Sequence, residues 1–184
     1  MSFKDGFAIF FSCIGLVTVF YKRGEVNMKK SYYGVMNAMI ACIYAVLTIV
    51  CSSISYGGIQ FRISEIMILL AFYNKKFIPG LVAGCFIANI PSTLGVADMF
   101  FGTLATLIAV LMINKVKSLY TAAFIGGIVN GLIVGYELYL VLKLPFVINA
   151  LSVFFGEFVV LMLGVLVFKR IEKNDSFMNK YIKE

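Results

Sequence analysis

Residues 60–98 read QFRISEIMILLAFYNKKFIPGLVAGCFIANIPSTLGVAD. Arg62 and Glu65 stand three residues apart at the mouth of an apolar run. Lys75 and Lys76 interrupt the apolar character, Pro79-Gly80 opens a second apolar run, and Asn89 and Asp98 flank a short polar loop. Pro is tolerated in the first turn of a helix, so Phe77–Gly80 marks a helix start. Two short apolar helices joined by a lysine turn, with ionisable groups at their far ends, describe a membrane hairpin. Charges that close to hydrocarbon are costly and usually serve a purpose.

The rest of the chain agrees. It has 184 residues, of which 61% are hydrophobic and 14% charged, and its mean hydropathy is +0.98. A soluble domain is nearer half apolar and a quarter charged. One core could not hide this much apolar surface, and the apolar stretches are helix-length rather than alternating ten-residue strands. The expected fold is therefore an all-α integral membrane protein. Six membrane segments can be drawn: Tyr32–Ser52, Ile63–Tyr73, Phe77–Ile90, Asp98–Asn114, Leu119–Leu142 and Phe146–Ile171. The second and third fall short of the ~20 residues a straight span needs, which implies tilted, broken or shielded helices.

The formal net charge of +7 does not point to nucleic acid, because the basic residues sit in short clusters between apolar segments. These are Lys29-Lys30, Lys75-Lys76, Lys115 with Lys117, and Lys169-Arg170 with Lys173. The positive-inside rule then places the loops 74–76 and 114–118, and both termini, in the cytoplasm. Three domains are expected: an N-terminal extension 1–27, a membrane domain 28–173 and a cytoplasmic tail 174–184. The apolar run Phe7–Tyr21 is short for a span and lacks a small-residue cleavage site. The residues Lys22–Asn27 are what a purine-rich ribosome-binding sequence would encode ahead of a start at Met28, so Met28 is the expected first residue of the native protein. The intact mass of the natively expressed protein tests this.

Cys13, Cys42, Cys51 and Cys85 have neither redox nor metal-ligand spacing, and histidine is absent. No disulfide, metal or cofactor is expected, and a histidine-dependent enzyme is excluded.

On this topology the polar residues of the spans share one level toward the outside. Gln60, Arg62, Glu65, Asn89, Asp98, Asn130, Tyr136, Glu137 and Asn149 occupy middle to outer positions. Glu157 lies about 16 Å deeper than Phe146 at 1.5 Å per residue. The inner halves hold almost nothing ionisable, which is the pattern of a pocket open to one side rather than a channel. Each residue also has a plainer explanation. Arg62 and Glu65, at i and i+3, suit a mutual ion pair as well as a ligand. Asp98 fits a helix cap, Asn89 a cap or a bridge between helices, and Glu137 a solvated position near the interface. Glu157, in FFGEFVVLML, is the hardest to explain in this way: a carboxylate that deep needs a proton or a partner, and a ligand or helix-bridging role is expected for it. Ala41 and Ala45 form a small-xxx-small motif on the first span, suited to close approach by another helix.

These stretches carry a family resemblance. VMNAMIACIYAVL (35–47), QFRISE (60–65), IPGLVAGCFIAN (78–89), the region around Asp98 and Gly156-Glu157 resemble the substrate-binding S components of energy-coupling factor (ECF) transporters, and among them the queuosine-precursor transporter family. The resemblance spans Met28 to about Arg170. It implies a six-transmembrane-helix bundle of the ECF S-component type in the bacterial plasma membrane. It further implies capture of a 7-deazaguanine base such as pre-queuosine or queuine, and docking through Ala41 and Ala45 on a T component driven by two ATPase subunits. The sequence contains no G-x-x-x-x-G-K-[ST] loop, so ATP hydrolysis would belong to those partners. Glu157 is expected at the purine edge, with Asn89 and Asn130 as amide partners. Gln60, Arg62, Glu65 and Glu137 would form the outer rim. The alternatives are an S component for riboflavin, thiamine or biotin, or a small membrane-embedded enzyme or scaffold.

Overall fold

The computed structural model describes residues 28–51 and 62–173. The extension 1–27 with Cys13, the residue Gln60 and the tail 174–184 lie outside the described residues.

Within them the chain is helical. Helix α1 is Met28–Val50. A 3-10 helix, Ile63–Leu69, runs directly into the short helix α2, Leu70–Tyr73. A single 3-10 turn, Lys75–Phe77, leads into α3, Ile78–Asn89. Then follow α4, Val96–Ile113; α5, Leu119–Leu142; and α6, Phe146–Glu172. The four helices α1, α4, α5 and α6 are long and apolar enough to cross a membrane, and Ile63–Tyr73 is a shorter apolar stretch. The expected segment boundaries agree with these helices to within a few residues. Among the described residues, four of the six expected segments meet the length requirement.

Contacts run in a closed circuit. Helix α1 packs on α3, α3 on α4, α4 on α5 and α5 on α6, and the 3-10 segment touches both α6 and α1. Glycines make the approaches close. A Cβ on Gly131 or Gly135 of α5 would lie 2.9 and 2.7 Å from backbone atoms of Ala150 on α6. On the other side of the bundle, a Cβ on Gly80 or Gly84 of α3 would meet Asn37 at 2.6 Å and Tyr44 at 2.8 Å. Small residues at four-residue spacing bring helix backbones together in this way.

The ends are tied by side chains to otherwise unpaired backbone groups. Asn37 Nδ2 donates to the carbonyls of Tyr33 and Lys76, and its Oδ1 accepts from Gly80 N at 2.7 Å, at the start of α3. Asn114, just past α4, donates to the carbonyl of Ala71 at 2.9 Å. Lys76 lies over the Tyr33 ring and Lys169 over the Tyr120 ring. With the Tyr73–Phe168 ring contact, these ties gather the basic clusters at one end of the bundle. The outer surface is largely apolar, with Phe100, Phe124, Phe155 and Leu166 exposed among many others. Such a surface needs hydrocarbon around it.

The interior holds two apolar clusters. The larger includes Tyr44, Ile68, Leu69, Ala109, Val129 and Leu161; the smaller holds Ala105, Val134, Leu138 and Val153. Along each helix a polar residue falls at the junction. Thr106 lies between Ala105 and Ala109, Asn130 between Val129 and Val134, and Glu157 between Val153 and Leu161. The boundary between the clusters is a polar layer.

Candidate functional site

That layer is built around Glu65. The 3-10 segment carries it to the centre of the bundle, where it is 1% exposed. Tyr44 of α1 donates to its Oε1 at 2.5 Å, and Asn130 Nδ2 of α5 approaches its Oε2 at 3.4 Å. Thr106 Oγ1 of α4 stands 3.5 Å from Oε1 and 3.1 Å from Cys85 Sγ of α3. One carboxylate thus ties together groups from three other helices. Behind it, the hydroxyls of Thr48 and Ser64 are 2.6 Å apart.

Toward the end opposite the basic clusters lies a second polar group. Arg62 is paired with Asp98 at 2.9 Å between Nη2 and Oδ1, and both are buried. Ser92 Oγ donates to the other oxygen of Asp98. Asn89 Nδ2 donates to the Asp98 carbonyl at 3.0 Å and contacts Cys85 Sγ. On α4 the spacing Asp98, Gly102, Thr106 is i, i+4, i+8, which puts all three on one face. Gly102 leaves the room: a Cβ there would lie 2.5 Å from Asn89 Nδ2, 3.2 Å from Asp98 Oδ1 and 3.3 Å from Arg62 Nη1.

Two sequence expectations are corrected here. Arg62 pairs with Asp98, because its backbone is extended (φ −83°, ψ 92°) ahead of the 3-10 helix, so the i, i+3 geometry of an α-helix does not apply to it. Asp98 is not the cap of α4. Gly95 holds that position, with a φ of 61°, and Asp98 sits in the first turn with its side chain turned inward.

Two carboxylates complete the cluster. Glu137 of α5 is completely buried, and among the described residues neither of its oxygens has a hydrogen-bond partner. It lies seven residues beyond Asn130, on nearly the same helix face and about 10.5 Å further along. The charges of Asp98 and Arg62 act on it. The expectation that water solvates Glu137 is therefore corrected: Leu94, from the loop between α3 and α4, packs against the small cluster containing its neighbour Leu138. Glu157 of α6 is 2% exposed, and its Oε2 has no partner; the charges of Glu65 and Arg62 act on it. Asn89 Oδ1 is likewise buried without a donor.

The structure thus brings together Arg62, Glu65, Asn89, Asn130, Glu137 and Glu157. It leaves two of the polar residues out: Asn149 bonds to the Pro145 carbonyl of its own helix, and Tyr136 is half exposed and stacks on Tyr139. It also turns Ala41 and Ala45 inward, at 7% and 0% exposure, with Ala41 against Gly84. Both are therefore buried within the bundle rather than on its outer surface. Sequence reading missed Tyr44, Thr106 and Cys85 as members of the cluster. The signal for two of them was present in the four-residue spacings Cys85–Asn89 and Gly102–Thr106.

Buried acceptors without donors cost roughly 1–3 kcal/mol each, and more when charged. Gathered in the interior of an apolar helical bundle, they are a candidate site for a small, donor-rich ligand. The comparisons give this bundle a family. The family described as QueT transporter matches residues 35–173. The Queuosine precursor transporter QueT of Lactococcus lactis subsp. cremoris is 35% identical over 164 residues, covering 80% of this chain and 96% of that protein. The chain belongs to the QueT transporter family, whose members are transporters and not enzymes. No solved structure matches the chain.

Proposed function

We propose that this protein is the substrate-binding S component of an energy-coupling factor importer and captures a 7-deazaguanine precursor of queuosine from outside the cell. The carrying observation is the set of buried acceptors at Glu137, Glu157 and Asn89 that lack donors. A guanine-like edge presents adjacent N–H groups, which a carboxylate accepts in a forked pair. Glu157 is the partner for that edge, deepest in the bundle, with Asn89 and Asn130 offering amides to its polar groups. Glu65 fixes Tyr44, Thr106 and Asn130 around the pocket, and the Arg62–Asp98 pair stands at its outer end. Gln60 belongs to the rim. The name borne by the Lactococcus relative supports the same cargo. The gathering of basic residues at one end supports cytoplasmic termini in a multi-pass plasma-membrane protein.

Energy would come from a T component and two ATPase subunits. Docking through α1 uses its exposed residues Met39 and Ile43, while Ala41 and Ala45 set how closely α1 lies on α3 beneath them.

The test is titration calorimetry on purified protein in nanodiscs. The 7-aminomethyl-7-deazaguanine base and queuine are expected to bind; riboflavin, thiamine and biotin are not. A folded protein that binds one of those vitamins and no deazaguanine would refute the cargo. Co-expression with a T component and its ATPases should yield one complex, and copurification with none of them would refute the assembly.

A further inference from the structure

The charges of the polar layer do not balance. Arg62 is matched by Asp98 at 2.9 Å. Glu65 is surrounded by neutral donors from Tyr44 and Asn130, with Thr106 at its edge. Glu137 and Glu157 remain, both buried, with three of their four oxygens lacking a hydrogen-bond partner among the described residues. The two differ in position. Glu157 lies at the junction of the apolar clusters, beside the charge of Glu65. Glu137 lies two helical turns beyond Asn130 and answers to the Arg62–Asp98 pair.

A flat base whose edge is held at Glu157 can satisfy that carboxylate with ring N–H groups alone. It cannot also satisfy Glu137 with the same edge: Phe154 and Phe158, which flank Glu157 on α6, face Gly127 of α5, and Glu137 lies ten residues further along α5, about 15 Å at 1.5 Å per residue. A second donor, separate from the ring edge, must reach Glu137. A carboxylate with both oxygens bare in a dry interior is matched best by a cation.

We infer that Glu137 is the specificity-determining residue for a positively charged arm on the ligand, so the site selects amine-bearing bases over neutral bases of the same ring. This rests on the reading of Glu157 as the ring-edge partner. Arg62 donates to Asp98 and makes no hydrogen bond to Glu137, so the oxygens of that carboxylate are left for the ligand. Asn89 Oδ1, buried without a donor beside Asp98, offers the arm a second acceptor.

The experiment compares two bases that share the ring and differ in the arm, 7-aminomethyl-7-deazaguanine (cationic) and 7-cyano-7-deazaguanine (neutral). Affinities are measured by calorimetry on the wild type, Glu137→Gln, Glu137→Asp and Glu157→Gln in nanodiscs. The wild type should prefer the aminomethyl base by about 100-fold or more, the range of a buried charge pair. Glu137→Gln should lose most of that preference by weakening the aminomethyl base alone, and Glu137→Asp should retain part of it. Glu157→Gln should weaken both bases alike. Should Glu137→Gln fail to fold, the wild-type ratio and Glu137→Asp still decide. Equal wild-type affinities, or an unchanged ratio in the Glu137 variants, overturn the inference and leave the cargo assignment standing. Binding of neither base by folded wild type overturns the cargo assignment itself.

Discussion

Replacing Gly102 by alanine should damage ligand binding more than it damages the fold. The added methyl would sit 2.5 Å from Asn89 Nδ2, with Asp98 Oδ1 at 3.2 Å and Arg62 Nη1 at 3.3 Å. To regain ordinary contact distance, the Asn89 amide must retreat by about 1 Å. It is not free to do so at no cost, because it holds the Asp98 carbonyl at 3.0 Å and is completely buried. Losing that bond costs about 1–3 kcal/mol. The helix itself gains on the exchange, since alanine is favoured over glycine by up to ~1 kcal/mol in a helix interior. The net loss of stability is therefore about 0–2 kcal/mol. Binding has no such compensation if Asn89 holds the ligand as proposed, because its amide is displaced. A displacement costing 1–3 kcal/mol weakens binding roughly 5- to 150-fold. The control is Gly34→Ala on α1, where a Cβ meets nothing within 4 Å; its affinity should equal that of the wild type. Titration with 7-aminomethyl-7-deazaguanine reads both variants, with melting followed in parallel. Wild-type affinity in well-folded Gly102→Ala would refute the placement of Asn89 at the ligand.

Three further outcomes are expected. Tyr44→Phe removes the 2.5 Å bond to Glu65 and should cost about 1–3 kcal/mol of stability; an unchanged melting temperature would argue against Glu65 as the organiser of the layer. Arg62→Met strands the buried Asp98 carboxylate and should cost about 3–5 kcal/mol, whereas adding Asp98→Leu should restore much of the loss. The sequence has no tryptophan, so far-UV circular dichroism is the readout, and a double variant no better than the single one would exclude the pair as described. Gly135→Val drives a side chain into the backbone of Ala150, 2.7 Å from its Cα, and should cost at least ~1–3 kcal/mol with broadened size-exclusion peaks; a wild-type elution profile would disprove the tight α5–α6 seam.

The helices were legible in the sequence because apolar length and basic punctuation are local signals. Pro79 and the lysine turn marked the start of α3, and the structure starts it at Ile78. Most of the polar inventory was legible too, since ionisable residues in apolar runs stand out. The pairing was not. The spacing of Arg62 and Glu65 suggested one turn of α-helix, but the backbone there is first extended and then 3-10, and no local pattern announces that change. The plainer reading of Glu137 as solvated came from its distance to the end of α5, which cannot include the packing of Leu94 against the cluster of its neighbour Leu138. Ala41 and Ala45 illustrate a deeper ambiguity. A small-residue motif lowers the cost of close approach for any helix, whether from the same chain or another. The GLVAG stretch of α3, with Gly80 and Gly84, was the complementary signal within the chain.

The 3-10 character of Ile63–Leu69 has a consequence for how far the chain can reach. A 3-10 helix rises about 2.0 Å per residue against 1.5 Å for an α-helix, and runs beyond three or four residues are uncommon because the hydrogen bonds are poorer. Stretched in this way, the eleven residues from Ile63 to Tyr73 cover about 20 Å instead of about 16 Å. That is still only about two thirds of a hydrocarbon core some 30 Å thick. With Tyr73 held at the level where its neighbours end, Arg62 comes to rest below the opposite membrane surface. Its depth is set by the length of a backbone segment, and the acidic partner that makes this depth tolerable had to come from α4.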